Sequence, residues 1–117
     1  MRSSRATILL PALLLGVLAL TGCPSRTSIS KINADPDRYR DKEVAVAGTV
    51  RESYGSSFVG GAYELDDGTG RIWVVSRRGG VPSRGAQVGV KGRVYNGMTF
   101  GGRNFGTVID ESDRRTR

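Results

Sequence analysis

Four stretches of the chain alternate apolar and polar residues with the period of two that a half-buried β-strand requires. In EVAVAGTVR, Val44, Val46, Gly48 and Val50 share one face, and Ala45, Ala47, Thr49 and Arg51 share the other. AYEL sets Tyr63 and Leu65 against Ala62 and Glu64. RIWVV sets Ile72 and Val74 against Arg71, Trp73 and Val75. VGVKGRVY sets Val88, Val90, Gly92 and Val94 against Gly89, Lys91, Arg93 and Tyr95, and FGTVI (Phe105 to Ile109) is a weaker fifth strand.

The loop DDGTG joins the second and third of these. A four-residue turn over Asp67–Gly70 predicts Asp66 opposite Arg71, Leu65 opposite Ile72, Glu64 opposite Trp73 and Tyr63 opposite Val74. That register matches apolar with apolar on one face and opposite charges on the other. Gly68 and Gly70 supply positive φ at low steric cost, so Asp66 and Asp67 read as turn chemistry and Arg71 as the partner of Asp66. Glycines inside the first and fourth strands, Gly48 and Gly92, point to a small and strongly curved barrel. The connection SRRGGVPSRGAQ is too rich in Gly and Pro for a helix. A loop is expected there, with the barrel bottom plugged instead by the turn near Ile29 to Tyr39.

INADPDRYRDKEVAVAGTV, YELDDGTGRIWV, the Pro-Ser-Arg-Gly connection and VGVKGRVYNG together resemble a bacterial OB-fold of the tRNA-anticodon-binding-like, nucleic-acid-binding type, over residues 29–110. The resemblance implies an all-β, five-stranded Greek-key barrel. It also implies a ligand surface across strands two and three, flanked by the loops joining strands one to two and four to five. Trp73 would stand outward on that face, with Tyr54 and Phe58 on the loop SYGSSFVGG and Met98, Phe100 and Arg103 on NGMTFGGRN. Aromatics interleaved with guanidinium groups stack on nucleobases at ~1–3 kcal/mol per base, and equally hold peptide or sugar rings. Each has a structural use as well. Trp73 can cover the Glu64 stem, Tyr54 and Phe58 can fold under their own loop, and Phe100 can lie on Arg93 across an Asn96-Gly97 hairpin.

Charge adds a second surface. Arg51, Lys91 and Arg93 project outward from strands one and four, which neighbour each other in such a barrel, and Arg77, Arg78 and Arg84 follow on the adjoining loop. A basic side of this kind suits anionic lipid headgroups, an acidic partner or nucleic acid, or plain solvent.

The N-terminal segment decides the compartment. Arg2 and Arg5 precede an uncharged run from Ala6 to Leu20, short of the ~20 residues a membrane-spanning helix needs. A basic start, an apolar stretch and small residues describe a cleaved signal peptide. Leu20-Thr21-Gly22-Cys23 resembles the lipobox of bacterial lipoproteins, which implies a lipid on Cys23, fatty acyl groups such as palmitate included. Cys23 is the sole cysteine, and lipidation removes a thiol that would be reactive in an oxidising compartment. More than one lipid chain is needed for stable attachment, a condition that a lipoprotein anchor meets. Pro24, rather than the Asp that resembles an inner-membrane retention signal, favours the periplasmic face of the outer membrane.

The expected organisation is therefore a signal peptide over 1–22, a lipidated tether over 23–28, an OB-fold-like domain over 29–110 and a charged flexible tail over 111–117. Cleavage after residue 22 removes two arginines and no acid, and lowers the net charge from +7 by those two units. The chain holds no His, no serine beside a plausible base and no P-loop or dinucleotide glycine pattern, so enzymatic templates lack their parts. No cofactor or metal is expected. The expected role is a lipid-anchored envelope binding or assembly module with a protein partner. Single-stranded nucleic acid, disfavoured by location, and a structural accessory role in an envelope complex are the alternatives.

Overall fold

The structure, a computed structural model, describes residues 26–56, 60–77, 80–100 and 102–116. The expected signal peptide, the lipobox-like segment with Cys23, and Phe58 and Arg78 lie outside the described residues.

Two short helices, α1 (Ile29–Ala34) and α2 (Pro36–Tyr39), precede five strands: β1 (Glu43–Ser56), β2 (Gly60–Asp66), β3 (Arg71–Ser76), β4 (Gln87–Phe100) and β5 (Arg103–Thr116). The strands close into a barrel in the order β1-β2-β3-β5-β4, antiparallel throughout except for β3 beside β5. This is the small, curved barrel that the alternation and glycines predict, in the five-stranded Greek-key form that the OB-fold resemblance implies. Val44, Val46, Val50, Tyr63, Leu65, Ile72, Val74, Val88, Val90, Val94 and Ile109 fill it, all buried, and those of β1 to β4 stand on the face that their period-two pattern assigns. The β2–β3 register is the predicted one, from Asp66 opposite Arg71 to Tyr63 opposite Val74. Of the two turn glycines only Gly68 uses a positive φ, at 88°.

No described helix lies between β3 and β4. The barrel is plugged from the N-terminal side, where Ile29 and Ile32 of α1 are fully buried in the core. The plug is helical rather than a simple turn. It is fastened by the β2–β3 turn: the Ile29 N–H donates to Asp67 Oδ2 at 2.9 Å, the Ser30 N–H to Thr69 Oγ1 at 3.2 Å, and Asn33 Nδ2 to the Arg71 carbonyl at 2.8 Å.

Three boundaries differ from expectation. Tyr54 belongs to β1, which runs on to Ser56, and not to a loop. Asn96-Gly97 is not a hairpin turn, because β4 continues to Phe100 and absorbs Gly97 (φ 74°) as an irregularity between Tyr95 and Met98. Met98, Phe100 and Arg103 thus stand on strand ends, and the side chains of Phe100 and Arg103 lie outside the described residues. Finally, 111–116 is no tail but the second half of β5, with Glu111 opposite Gly92 and Thr116 opposite Val88. Its lack of apolar residues is compensated by an internal ion pair. Ser112 is an extra residue in the β4–β5 ladder, so Glu111 and Arg114 fall on the same, inner face. There Glu111 Oε2 accepts from Arg114 Nη1 at 3.2 Å and from the buried Tyr63 hydroxyl at 2.6 Å, and the guanidinium lies 5.7 Å from the Tyr63 ring centroid.

Candidate functional site

Outward-facing positions of β1, β3 and β5 bring three aromatic side chains into one row. Trp73 stands outward at mid-β3, opposite Glu64 on one side and Val108 on the other. Its ring centroid lies 5.7 Å from that of Tyr54, nearly parallel at 30°, and 4.8 Å from that of Phe105, tilted at 53°. Such offset and tilted contacts suit the ring quadrupole. Trp73 is half-buried, whereas Tyr54 is 50% exposed. Ala62, Val75 and Val108 share this outer face by register and are nevertheless fully buried.

Tyr54 reaches the row because of a bulge. The β1–β2 ladder pairs Val50 with Leu65 and then Glu52 with Glu64, leaving Arg51 as an extra residue. Strict alternation from Val50 would turn Tyr54 into the barrel. The extra residue reverses the phase and puts it outside.

The electrostatics around the row are acidic. Glu52 lies directly opposite Glu64, and Asp66 and Asp110 occupy the neighbouring outward positions. The cations beside them are engaged: Arg51 and Arg71 with Asp66 at 3.2 and 3.3 Å, Arg71 also with Glu64 at 3.8 Å, and Arg77 with Asp110 at 3.2 Å. The Gly68 amide first, then Arg51, hold the Asp66 carboxyl below its ordinary range. The Tyr54 hydroxyl donates to Glu52 Oε2 at 3.3 Å.

Of the sequence-predicted residues, the structure brings Trp73 and Tyr54 together and adds Phe105, which sequence reading treated only as the start of a strand. Alternation from the inward Ile109 would turn Phe105 inward too; it is an extra residue at the irregularity between Met98 and Thr99 of the β4–β5 ladder, which no local pattern signals. The predicted basic set is dispersed. Lys91 and Arg93 stand near each other, opposite Ala45 and Glu43. Arg51 lies beyond the end of the β1–β4 ladder at Thr49–Gln87 and turns to Asp66 instead. Arg93 donates to the Asp41 carbonyl at 2.9 Å, and the Asn96-Gly97 hairpin that would fold Phe100 back onto it is replaced by continuous strand.

The chain matches no protein-family model, and no curated protein matches it. Solved structures do. An OBody bound to hen egg-white lysozyme superposes with a TM-score of 0.58 at 23% identity, covering 80% of this chain and 96% of the OBody. The hypothetical protein YgiW from E. coli gives 0.56 at 19% identity, covering 80% of this chain and 91% of YgiW. A Replication Protein A heterotrimer bound to ssDNA gives 0.50 at 22% identity, covering 64% of this chain and 57% of that one. At such identities the likeness is one of architecture, and together with the closed β1-β2-β3-β5-β4 ring it identifies the domain as an OB-fold.

Proposed function

We propose that this OB-fold is a non-catalytic binding module of the bacterial cell envelope. It is held to the membrane by a lipid on Cys23 and engages a protein partner through the Tyr54–Trp73–Phe105 row. The row is the observation that carries the reading. It joins three strands of the barrel wall and offers a large, stiff, partly exposed aromatic surface, the kind of group in which interface energy concentrates. The Leu-Thr-Gly-Cys boundary behind an apolar run supports the anchor, and the outer membrane is the favoured destination.

The charges favour protein over nucleic acid. Phosphate binding needs cations free to replace counterions, whereas Glu52, Glu64, Asp66 and Asp110 surround the row and occupy Arg51, Arg71 and Arg77. Cross-linking in the native envelope, followed by capture of this chain, tests the proposal. A partner should be retained by the parent and lost in Trp73→Ala, whose circular dichroism stays that of the parent. The expected cost at the row is about 2 kcal/mol, or ~30-fold in Kd, with little response to added salt. Equal capture by parent and variant would remove the site. Salt-sensitive retention of single-stranded nucleic acid would replace the protein partner with the alternative.

A further inference from the structure

A second surface lies on the opposite side of the barrel, where β1 meets β4. Ala45, Ala47 and Gly89 form the floor of a shallow groove of about 230 Å³, rimmed by Arg26, Lys91 and Arg115. The floor carries two methyl groups and one bare backbone position. A Cβ at Gly89 would meet nothing within 4 Å, and φ there is not positive, so neither packing nor backbone demands glycine. What glycine does is leave the groove open.

The three rim cations differ from those on the aromatic face. There Arg51, Arg71 and Arg77 each pair with a carboxylate. Arg26, Lys91 and Arg115 make none among the described residues, and Asp113, across from Lys91, is the one acid lining the groove. The chain also enters the domain here: the Thr27 N–H donates to the Ala45 carbonyl at 2.8 Å. Cys23 precedes Arg26 by three residues, a reach of about 10 Å when extended.

We infer that this β1–β4 groove rests on the anionic phospholipid headgroups of the bilayer that holds the chain. The inference rests on the lipid anchor proposed above. A lipid at Cys23 would hold Arg26 within a Debye length of the headgroups, where exposed cations are attracted and screening is weakest. The low floor lets phosphate oxygens reach all three cations at once. In the ring β1-β2-β3-β5-β4, β3 neighbours neither β1 nor β4. A barrel lying on this groove therefore turns Trp73 away from the membrane, towards a partner.

The chain has three lysines, Lys31, Lys42 and Lys91, all exposed, and only Lys91 lines the groove. The test is amine labelling, read by mass spectrometry, of the mature protein in nanodiscs of phosphatidylcholine with and without phosphatidylglycerol. The intact mass first reports whether Cys23 is lipidated; an unmodified Cys23 overturns both the anchor and the docking. With the lipid present, Lys91 should label several-fold more slowly on the anionic discs while Lys31 and Lys42 keep their rates. Protection should vanish in about 1 M salt, where the Debye length is only ~3 Å. Gly89→Glu, which adds a negative side chain where there is room for one, should restore labelling, and so should the double variant Arg26→Gln/Arg115→Gln. Equal Lys91 rates in both discs overturn the docking and leave the anchor standing. Protection of Lys91 by inorganic phosphate alone, in detergent, also overturns it in favour of a free anion.

Discussion

The Asp67 carboxylate binds two parts of the chain that are far apart in sequence. It accepts from the Ile29 N–H of the plug, and within its own turn from the Thr69 N–H, the Thr69 hydroxyl and the Gly70 N–H. Partial burial pushes this carboxyl up, but the bonds from Ile29, Thr69 and Gly70 outweigh it and hold the group below the usual carboxylate range. Asp67→Ala should cost about 2 kcal/mol, the value of charge-assisted bonds left unmade. Thermal unfolding should show it as a melting temperature lower by roughly 10 °C. A depressed carboxyl stabilises the fold above the unfolded value near ~4 and loses that contribution as pH falls through its folded value. Below about pH 4 the Asp67→Asn variant should therefore lose stability less steeply than the parent, as acid titrations of unfolding would show. Tyr63 works at the other end of the scale. Burial, and then the bond to Glu111, raise its phenol far above the ordinary range. Such a group stabilises the fold below its unfolded value of ~10 and loses that contribution as pH climbs towards the folded value. Tyr63→Phe, though less stable at neutral pH, should show a flatter decline in stability above about pH 10, followed by denaturant midpoints.

Strands were legible from the sequence because one face of each had to be apolar. The turn was legible because only one register of Asp66–Arg71 matches charges and hydrophobes together. Gly48 and Gly92 were legible as curvature points, and the structure gives the reason. A Cβ on Gly48 would fall on the Asp66 carbonyl oxygen, inside van der Waals contact, and one on Gly92 on the Asp110 carbonyl, with Ile109 Cγ2 only 2.6 Å away. The obstacles are mainly backbone, so the wall itself would have to move. Gly48→Ala and Gly92→Ala should each destabilise by about 1–3 kcal/mol in denaturant unfolding, the range of core overpacking. The second half of β5 was not legible. No period-two hydrophobic signal marks 111–116, since its inward positions hold Glu111 and Arg114, which neutralise each other beside Tyr63.

At the scale of the whole molecule, the sequence pointed to the aromatic site but not to its composition. Trp73 followed directly from alternation with Ile72 and Val74. The company it keeps did not, because Phe105 reaches it through a parallel pairing between strands distant in the chain, and no local pattern encodes that. The basic surface was misjudged for a related reason. Outward orientation was read correctly for Arg51, Lys91 and Arg93, but their neighbours depend on where each ladder ends. The bulge at Arg51 has a further consequence, for changes of length rather than of residue type. Upstream of it β1 contributes Val44, Val46 and Val50 to the core; downstream it contributes Tyr54 to the surface, and one uncounted residue separates the two phases. Replacing Arg51 by another strand-compatible residue leaves both phases as they are. Deleting it would close the ladder into plain alternation, with Val50 inward opposite Leu65, Glu52 outward opposite Glu64 and Tyr54 still outward opposite Ala62, so the row would survive the loss. The bulge is thus a place where β1 can lose one residue without losing the aromatic face, while Gly48 and the β1–β4 ladder behind it keep their register.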